Sequence, residues 1–200
     1  MKYYLGIDLG GTNIAAGIVD ENYNMVYKHS ERTIPQKSFG EIVADVAGTA
    51  KTAVKGSGLP MDEMVSIGLG TPSCINPKTG LLVNANNLGW RNVPLYQELR
   101  KHFDKPLFIK NDADCAPLGE ILAGGAKDYN DALMITLGTG VGGGIIMGKE
   151  IFNGCDGMGA EIGHRKLVCN GIRCTCGQYG CFESYASATA LIRQTKDAIR

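Results

Sequence analysis

The strongest constraint on the fold is a pattern that occurs twice. Asp8-Leu9-Gly10-Gly11-Thr12, followed by Gly17-Ile18-Val19, has a counterpart 128 residues later, where Thr136-Leu137-Gly138-Thr139-Gly140 precedes Ile145-Ile146-Met147. Each copy reads as a strand, a Gly/Thr turn and a second strand. A duplicated α/β domain explains the recurrence, with a boundary shortly after Asp112. The competing explanation is two unrelated glycine hairpins, since such turns are common. The duplication predicts a small α/β domain over residues 1–112 and the start of a larger one over 113–200.

The rest of the chain fits an α/β class. Residues 3–8, 14–19 and 25–34 read as strands. Ser38 and Glu41 have capping-box spacing. Phe39, Ile42, Val43, Val46, Ala47, Ala50 and Val54 then share one helical face, with Gly56 and Gly58 ending the helix. Residues 65–69 form a strand broken by Gly70-Thr71-Pro72, and 76–90 read as a loop-rich segment with four asparagines. Leu95, Leu99 and Phe103 mark a short helix. A strand over 107–109 runs into Asn111-Asp112, then come a helix over 113–123 and a strand over 132–137. The tail, 184–200, reads as one helix with Leu191, Ile192, Thr195 and Ile199 along one side.

Composition narrows the function classes. A hydrophobic fraction of 44% and a charged fraction of 20% are ordinary for a globular protein. The formal net charge is zero, so no global field attracts nucleic acid or an anionic membrane. No apolar run approaches the roughly 20 residues of a membrane span, and the first residues lack a signal-peptide layout, which predicts a cytoplasmic protein. The 28 glycines cluster at 6–17, 138–148 and 154–180, as expected where backbone approaches a ligand. Of seven cysteines, four lie between Cys169 and Cys181. In a reducing compartment that cluster reads as a metal site before it reads as disulfides.

Three groups of residues carry chemistry. The turn Asp8-Leu9-Gly10-Gly11-Thr12-Asn13 lacks bulky side chains, so its amides can approach phosphate oxygens with the Thr12 hydroxyl as a further donor. Asp8 suits a hydrated Mg²⁺. A tight hairpin without a ligand is the alternative. The second turn, 138–144, has five glycines in seven positions, which weakens a strand pair unless something passes close to the backbone. Two such turns facing each other across a cleft would hold a triphosphate. His164, Cys174, Cys176 and Cys181 make a closed tetrahedral zinc set, with Cys169 the spare and Cys74, Cys115 and Cys155 small core or near-surface residues. Buried thiols beside an unrelated histidine are the alternative. Glu161 stands three residues before His164, on the same side of a helical turn, and Glu183 two after Cys181. Two carboxylates and the outward ring N–H of a metal-bound imidazole suit a ligand rich in hydroxyls; solvated surface carboxylates are the alternative.

These residues, with Asn111-Asp112-Ala113, Gly159-Ala160-Glu161-Ile162-Gly163-His164 and Cys174-Thr175-Cys176-Gly177-Gln178-Tyr179-Gly180-Cys181-Phe182-Glu183, resemble the ROK sugar kinases along the whole chain. The resemblance implies an actin-like (ribonuclease H-like) pair of duplicated α/β domains with a zinc-binding loop and the sugar in a cleft. It implies ATP-dependent phosphorylation of a hexose at its 6-hydroxyl, glucose first, with N-acetylmannosamine, fructose or allose as other substrates. Asp112 matches the family's general base. Asn87, Asn111, Asp112, Glu161, His164 and Glu183 match its sugar contacts. Asp8, Gly10, Gly11, Thr12, Gly138, Thr139 and Gly140 match its ATP and Mg²⁺ site, and His164, Cys174, Cys176 and Cys181 its Zn²⁺ ligands. A homodimer is implied for the full-length protein.

Asn13 and Ala15 stand where family members often carry Lys or Arg, so phosphate affinity is expected to rest on backbone amides and metal. The family's adenine-binding segment and final helix have no counterpart before Arg200, so the 200 residues are expected to be a fragment that binds hexose better than ATP. Two further classes compete. A sugar-sensing repressor of the same family would carry a DNA-binding module ahead of the first turn, and the turn at residue 8 is expected to leave no room for it. A zinc-stapled, non-catalytic binding domain is the third.

Overall fold

The computed structural model describes every residue except Cys74, Pro77, Asn153, 155–158 and Arg200, and describes only the backbone of Asn86. Cys74 and Cys155, expected as small core or near-surface residues, lie outside the described residues. The chain divides into two compact units, Met1–Asp112 and Ala113–Arg200.

The first unit is built on a five-stranded sheet. Strands β1 (Tyr3–Leu9), β2 (Asn13–Asp20) and β3 (Met25–Arg32) form an antiparallel meander, and β4 (Met64–Thr71) and β7 (Leu107–Asn111) add in parallel, in the order β3-β2-β1-β4-β7. Period-two alternation sends Leu5, Ile7 and Leu9 of β1 to one face and leaves Gly6 and Asp8 on the other. The buried face packs on helix α1 (Phe39–Ser57), whose Ile42, Val43, Val46, Ala47, Ala50 and Val54 are all buried. Ser38 and Glu41 close the capping box at its start: the Glu41 amide donates to Ser38 Oγ at 3.4 Å, and the Ser38 amide to Glu41 Oε2 at 2.8 Å.

Three expectations change in this unit. Gly56 does not end α1; the helix runs through it to Gly58, which has a φ of 76° and caps the end. Gly56 is required for space, because the ring of Tyr27 lies where its Cβ would stand. Strand β4 continues through Gly70 and Thr71 rather than breaking there. The asparagine-rich segment is not mostly loop: β5 (Leu82–Ala85) and β6 (Trp90–Val93) pair antiparallel around a 3₁₀ turn at Asn86–Leu88. Trp90, 4% exposed, holds the hairpin to α1 through an edge-on contact with Phe39, ring centres 5.0 Å apart. Helix α2 (Leu95–Arg100) buries Leu95 and Leu99 in the same core.

The second unit repeats the meander on a smaller scale. Helix α3 (Asp112–Ala123) leads into β8 (Ala132–Leu137), β9 (Val141–Met147) and the short β10 (Glu150–Ile151), in the order β10-β9-β8. Here Gly142, Gly143 and Gly144 are strand residues, not part of a ligand loop. Their missing side chains make room for the protein itself. A Cβ at Gly142 would stand 2.6 Å from Thr136 Oγ1 and one at Gly143 2.6 Å from Ile162 Cδ1, while Gly144 lies against the Pro117 ring of α3. The tail is two helices rather than one, α4 (Glu183–Ala186) and α5 (Ala188–Ile199), separated at Ser187, whose Oγ accepts from the Ala190 amide at 3.1 Å as a cap for α5. The apolar stripe expected on α5 is exposed at Leu191, Ile192 and Ile199. No helix among the described residues is long and apolar enough to cross a membrane.

Candidate functional site

In the first unit the candidate residues gather at the carboxyl ends of the three parallel strands. Asp8 of β1 pairs across to Gly70 of β4, and Thr71 of β4 to Asn111 of β7. Asp112 follows at once as the first residue of α3. In open α/β sheets this is the end where ligands bind. Loss of water around the Asp8 carboxyl, and next the like charge of Asp112, hold it above the ordinary carboxylate range, with Lys28 pulling the other way. A carboxyl that feels the charge of a second carboxylate is a fitting partner for a divalent cation. Asn87, on the 3₁₀ turn between β5 and β6, lies against the first glycine turn: a Cβ at Gly11 would come within 3.0 Å of its Cβ and Nδ2.

That first turn is held by a residue the sequence did not single out. Thr33, 7% exposed, donates its hydroxyl to the Gly10 carbonyl at 2.7 Å and its amide to the Thr12 carbonyl at 2.9 Å. Thr71 was also missed. Its hydroxyl is fully buried and has no hydrogen-bond partner among the described residues. A lone threonine after a strand gives no signal in sequence, because its partners are distant backbone carbonyls.

In the second unit the turn Gly138–Gly140 is pinned by α5 and by Glu183. Ala188 donates its amide to the Gly138 carbonyl at 2.9 Å, Thr189 its hydroxyl to the Thr139 carbonyl at 2.8 Å, and the Val141 amide donates to Glu183 Oε2 at 3.0 Å. A Cβ at Gly138 would meet no atom of the described residues within 4 Å, and its φ is not in the left-handed region. Neither packing nor conformation requires a glycine at 138.

His164 closes a 3₁₀ turn, Ile162–His164, that begins after Glu161. Glu161, which is exposed, stands just ahead of that turn on non-helical backbone, and its carbonyl accepts from the His164 amide at 3.1 Å. Glu183 is not a solvated carboxylate. It is half-buried, and its Oε1 accepts from Thr175 Oγ1 at 3.1 Å and from the Cys174 thiol at 3.6 Å.

The ligand atoms of His164, Cys174, Cys176 and Cys181 all lie within 4.8 Å of one another. Cys176 and Cys181 sulfurs stand 3.7 Å apart, too far for a disulfide, and Cys174 Sγ is 3.7 Å from His164 Nδ1. A tetrahedral ion with metal–sulfur bonds near 2.3 Å needs sulfur–sulfur spacings of about 3.8 Å. The donor set therefore fits a closed zinc-type site. Burial pushes the Cys174 thiol up, but the Cys176 amide and thiol, His164 and Ser184 more than offset it, leaving it lowered to about 7. Burial, then the Cys176 and Cys174 side chains, push Cys181 up to about 12. Such splitting is what crowded thiols show. The loop carrying them is shaped by Gly180, which has a φ of 77° and lies against the Val168 carbonyl, and by Tyr185, whose hydroxyl accepts from the Ile172 amide at 2.9 Å. Cys169 and Cys115 are exposed thiols outside this group.

Comparison with known proteins places this geometry. A glucokinase of Streptomyces coelicolor is 38% identical over 196 residues, covering 98% of this chain and 60% of the relative. The xylose repressor of Bacillus subtilis is 31% identical, with 98% and 51% covered. The crystal structure of a ROK family glucokinase from Streptomyces griseus, in complex with glucose and AMPPNP, superposes with a TM-score of 0.83 at 35% identity, covering 98% of this chain and 60% of that one. The chain thus spans about 60% of the length of the glucokinases it matches. The fold is the mixed α/β fold of these structures, and since the ROK family model matches residues 4–200, the chain belongs to the ROK family.

Proposed function

We propose that this chain carries the sugar and phosphate-binding parts of an ATP-dependent hexose kinase that phosphorylates the 6-hydroxyl, with glucose the first substrate. One observation carries the reading. The carbonyls of Gly138, Thr139 and Gly140 in the second turn and of Gly10, Thr12 and Asn13 in the first are engaged by the protein, while amides at Gly11, Thr12, Thr139 and Gly140 meet no acceptor among the described residues. Successive unbonded amides in a turn form an anion cradle. The resemblance to a glucokinase solved with glucose and AMPPNP supports it. In this reading the two meanders are halves of an actin-like duplication, with residues 1–112 the small domain and 113–200 the start of the large one.

Asp112 accepts the proton of the sugar 6-hydroxyl as that oxygen bonds to the γ-phosphorus and the bond to the departing ADP breaks. A positioned carboxylate of this kind adds roughly 10²–10⁴-fold. Asn87, Asn111, Glu161, His164 and Glu183 take the sugar hydroxyls. Asp8 holds Mg²⁺, which neutralises phosphate charge when bound. His164, Cys174, Cys176 and Cys181 hold Zn²⁺; with Nδ1 toward the thiols, the His164 ring presents Nε2 to the sugar. Exposed thiols at Cys115 and Cys169 suit a reducing, cytoplasmic setting.

The match to a xylose repressor carries a second reading, sugar binding without phosphoryl transfer. A coupled assay of ADP release with glucose, N-acetylmannosamine, fructose and allose separates the two. Sugar-dependent turnover supports the kinase. Sugar binding with no turnover by any of them, in the full-length protein, favours the repressor class.

A further inference from the structure

Each glycine turn is held by one threonine from another part of its own unit. We propose that Thr33 and Thr189 are positioning residues for phosphate binding, each fixing its turn so that amides and not carbonyls meet the anion. The proposal rests on the nucleotide reading above.

Backbone amides and carbonyls alternate along a turn, and an anion is drawn to the first and repelled by the second. A glycine turn is conformationally permissive, so without restraint it would present either. In the second turn every carbonyl is engaged: Gly138 by the Ala188 amide at 2.9 Å, Thr139 by the Thr189 hydroxyl at 2.8 Å, Gly140 by the Gly138 amide at 3.0 Å. In the first, Gly10 accepts the Thr33 hydroxyl at 2.7 Å, Thr12 the Thr33 amide at 2.9 Å, and Asn13 the Gly10 amide at 2.9 Å, leaving only the Gly11 carbonyl without a donor among the described residues.

The two tethers share no sequence position. Thr33 follows β3, and Thr189 is the second residue of α5. Yet both deliver one hydroxyl and one nearby amide to two carbonyls of a Gly/Thr turn. A β-branched side chain has few χ1 states, so threonine holds the hydroxyl in place more firmly than serine. Thr33 is buried and Thr189 exposed, so the first tether is the stronger.

Calorimetric titration of the full-length protein with MgATP and, separately, with glucose tests this in wild type, Thr33→Val, Thr33→Ser, Thr189→Val and Thr189→Ser. The MgATP Kd is expected to rise about three- to tenfold in Thr33→Val and about twofold in Thr189→Val. The serine variants keep the donor and should match wild type within experimental error, and glucose affinity should hold throughout. If Thr33→Val fails to fold, the exposed Thr189 pair carries the test. Wild type that binds MgATP while both valine variants bind it equally well overturns the proposal alone, as does equal loss of MgATP and glucose. A wild type that takes glucose but no MgATP removes the nucleotide reading, and the proposal with it.

Discussion

The two hairpins share a motif but not a turn. Leu9 pairs with Ile14, enclosing residues 10 to 13, whereas Leu137 pairs with Val141, enclosing only 138 to 140. The first turn stands at the end of a broad sheet packed on a 19-residue helix, beside Asp8, whose carboxyl pKa is raised by burial and then by the charge of Asp112. The second stands in a three-stranded sheet, strapped by Glu183 to a loop shaped around four metal-ligand side chains. The lesson is a division of means. A threonine hydroxyl ties each turn, but the first unit backs its turn with a hydrophobic core and the second with Glu183 and four side chains that converge as a site fit for a metal.

The largest expected effect tests where the chemistry lies. Asp112→Asn in the full-length protein should cut phosphoryl transfer about 10²–10⁴-fold while sugar affinity stays within a few-fold, since an amide keeps the hydrogen-bonding shape but takes no proton. Steady-state kinetics with hexose titration measures both. Turnover near wild type would move the base elsewhere.

Next in size is the metal strap. Cys176→Ala should abolish stoichiometric zinc by elemental analysis and destabilise the second unit by more than about 3 kcal/mol. The amides of Gly138 and Val141 should exchange hydrogen faster, while those of β1 and β2 keep their protection. Faster exchange in both units alike, or a wild type that folds and binds sugar without stoichiometric metal, would break the contrast.

Smaller again is a pair of glycine substitutions six residues or fewer apart. Gly143→Ala should cost about 1–3 kcal/mol by overpacking on Ile162. Gly138→Ala, with no neighbour to strike, should cost under about 0.5 kcal/mol and instead weaken MgATP binding. Chemical denaturation with nucleotide titration separates them; equal destabilisation would mean that Gly138 has a packing role after all.

The smallest effect is electrostatic and belongs to the first unit. The folded state holds the Asp8 proton more tightly than the unfolded chain, whose value is 3.8. Between 3.8 and the raised folded value, stability therefore falls as pH rises, and the penalty is fully present above that window. Asp8→Asn should melt higher than wild type at pH 7, with the gap closing as pH approaches 3.8. A gap independent of pH would point to a cause other than charge.

The sequence by itself determined most of the elements and which four side chains gather in the second unit. Alternation along 3–9, the capping box at Ser38 and Glu41, and the helical stripe from Phe39 to Val54 are local signals, written in side chains that sit near one another in the chain. The His164, Cys174, Cys176, Cys181 spacing was legible for the same reason, and their ligand atoms do converge within 4.8 Å. Tertiary structure decided what each glycine is for. Gly56 and Gly142 to Gly144 make way for Tyr27, Thr136, Ile162 and Pro117, neighbours that only the packing of distant segments supplies, whereas Gly138 makes way for nothing in the protein. It also brought forward Thr33, Thr189 and the bond from the Val141 amide to Glu183, each joining a side chain to a backbone group, 23, 50 and 42 residues away. A backbone partner has no side-chain signature, so no residue pattern can announce it.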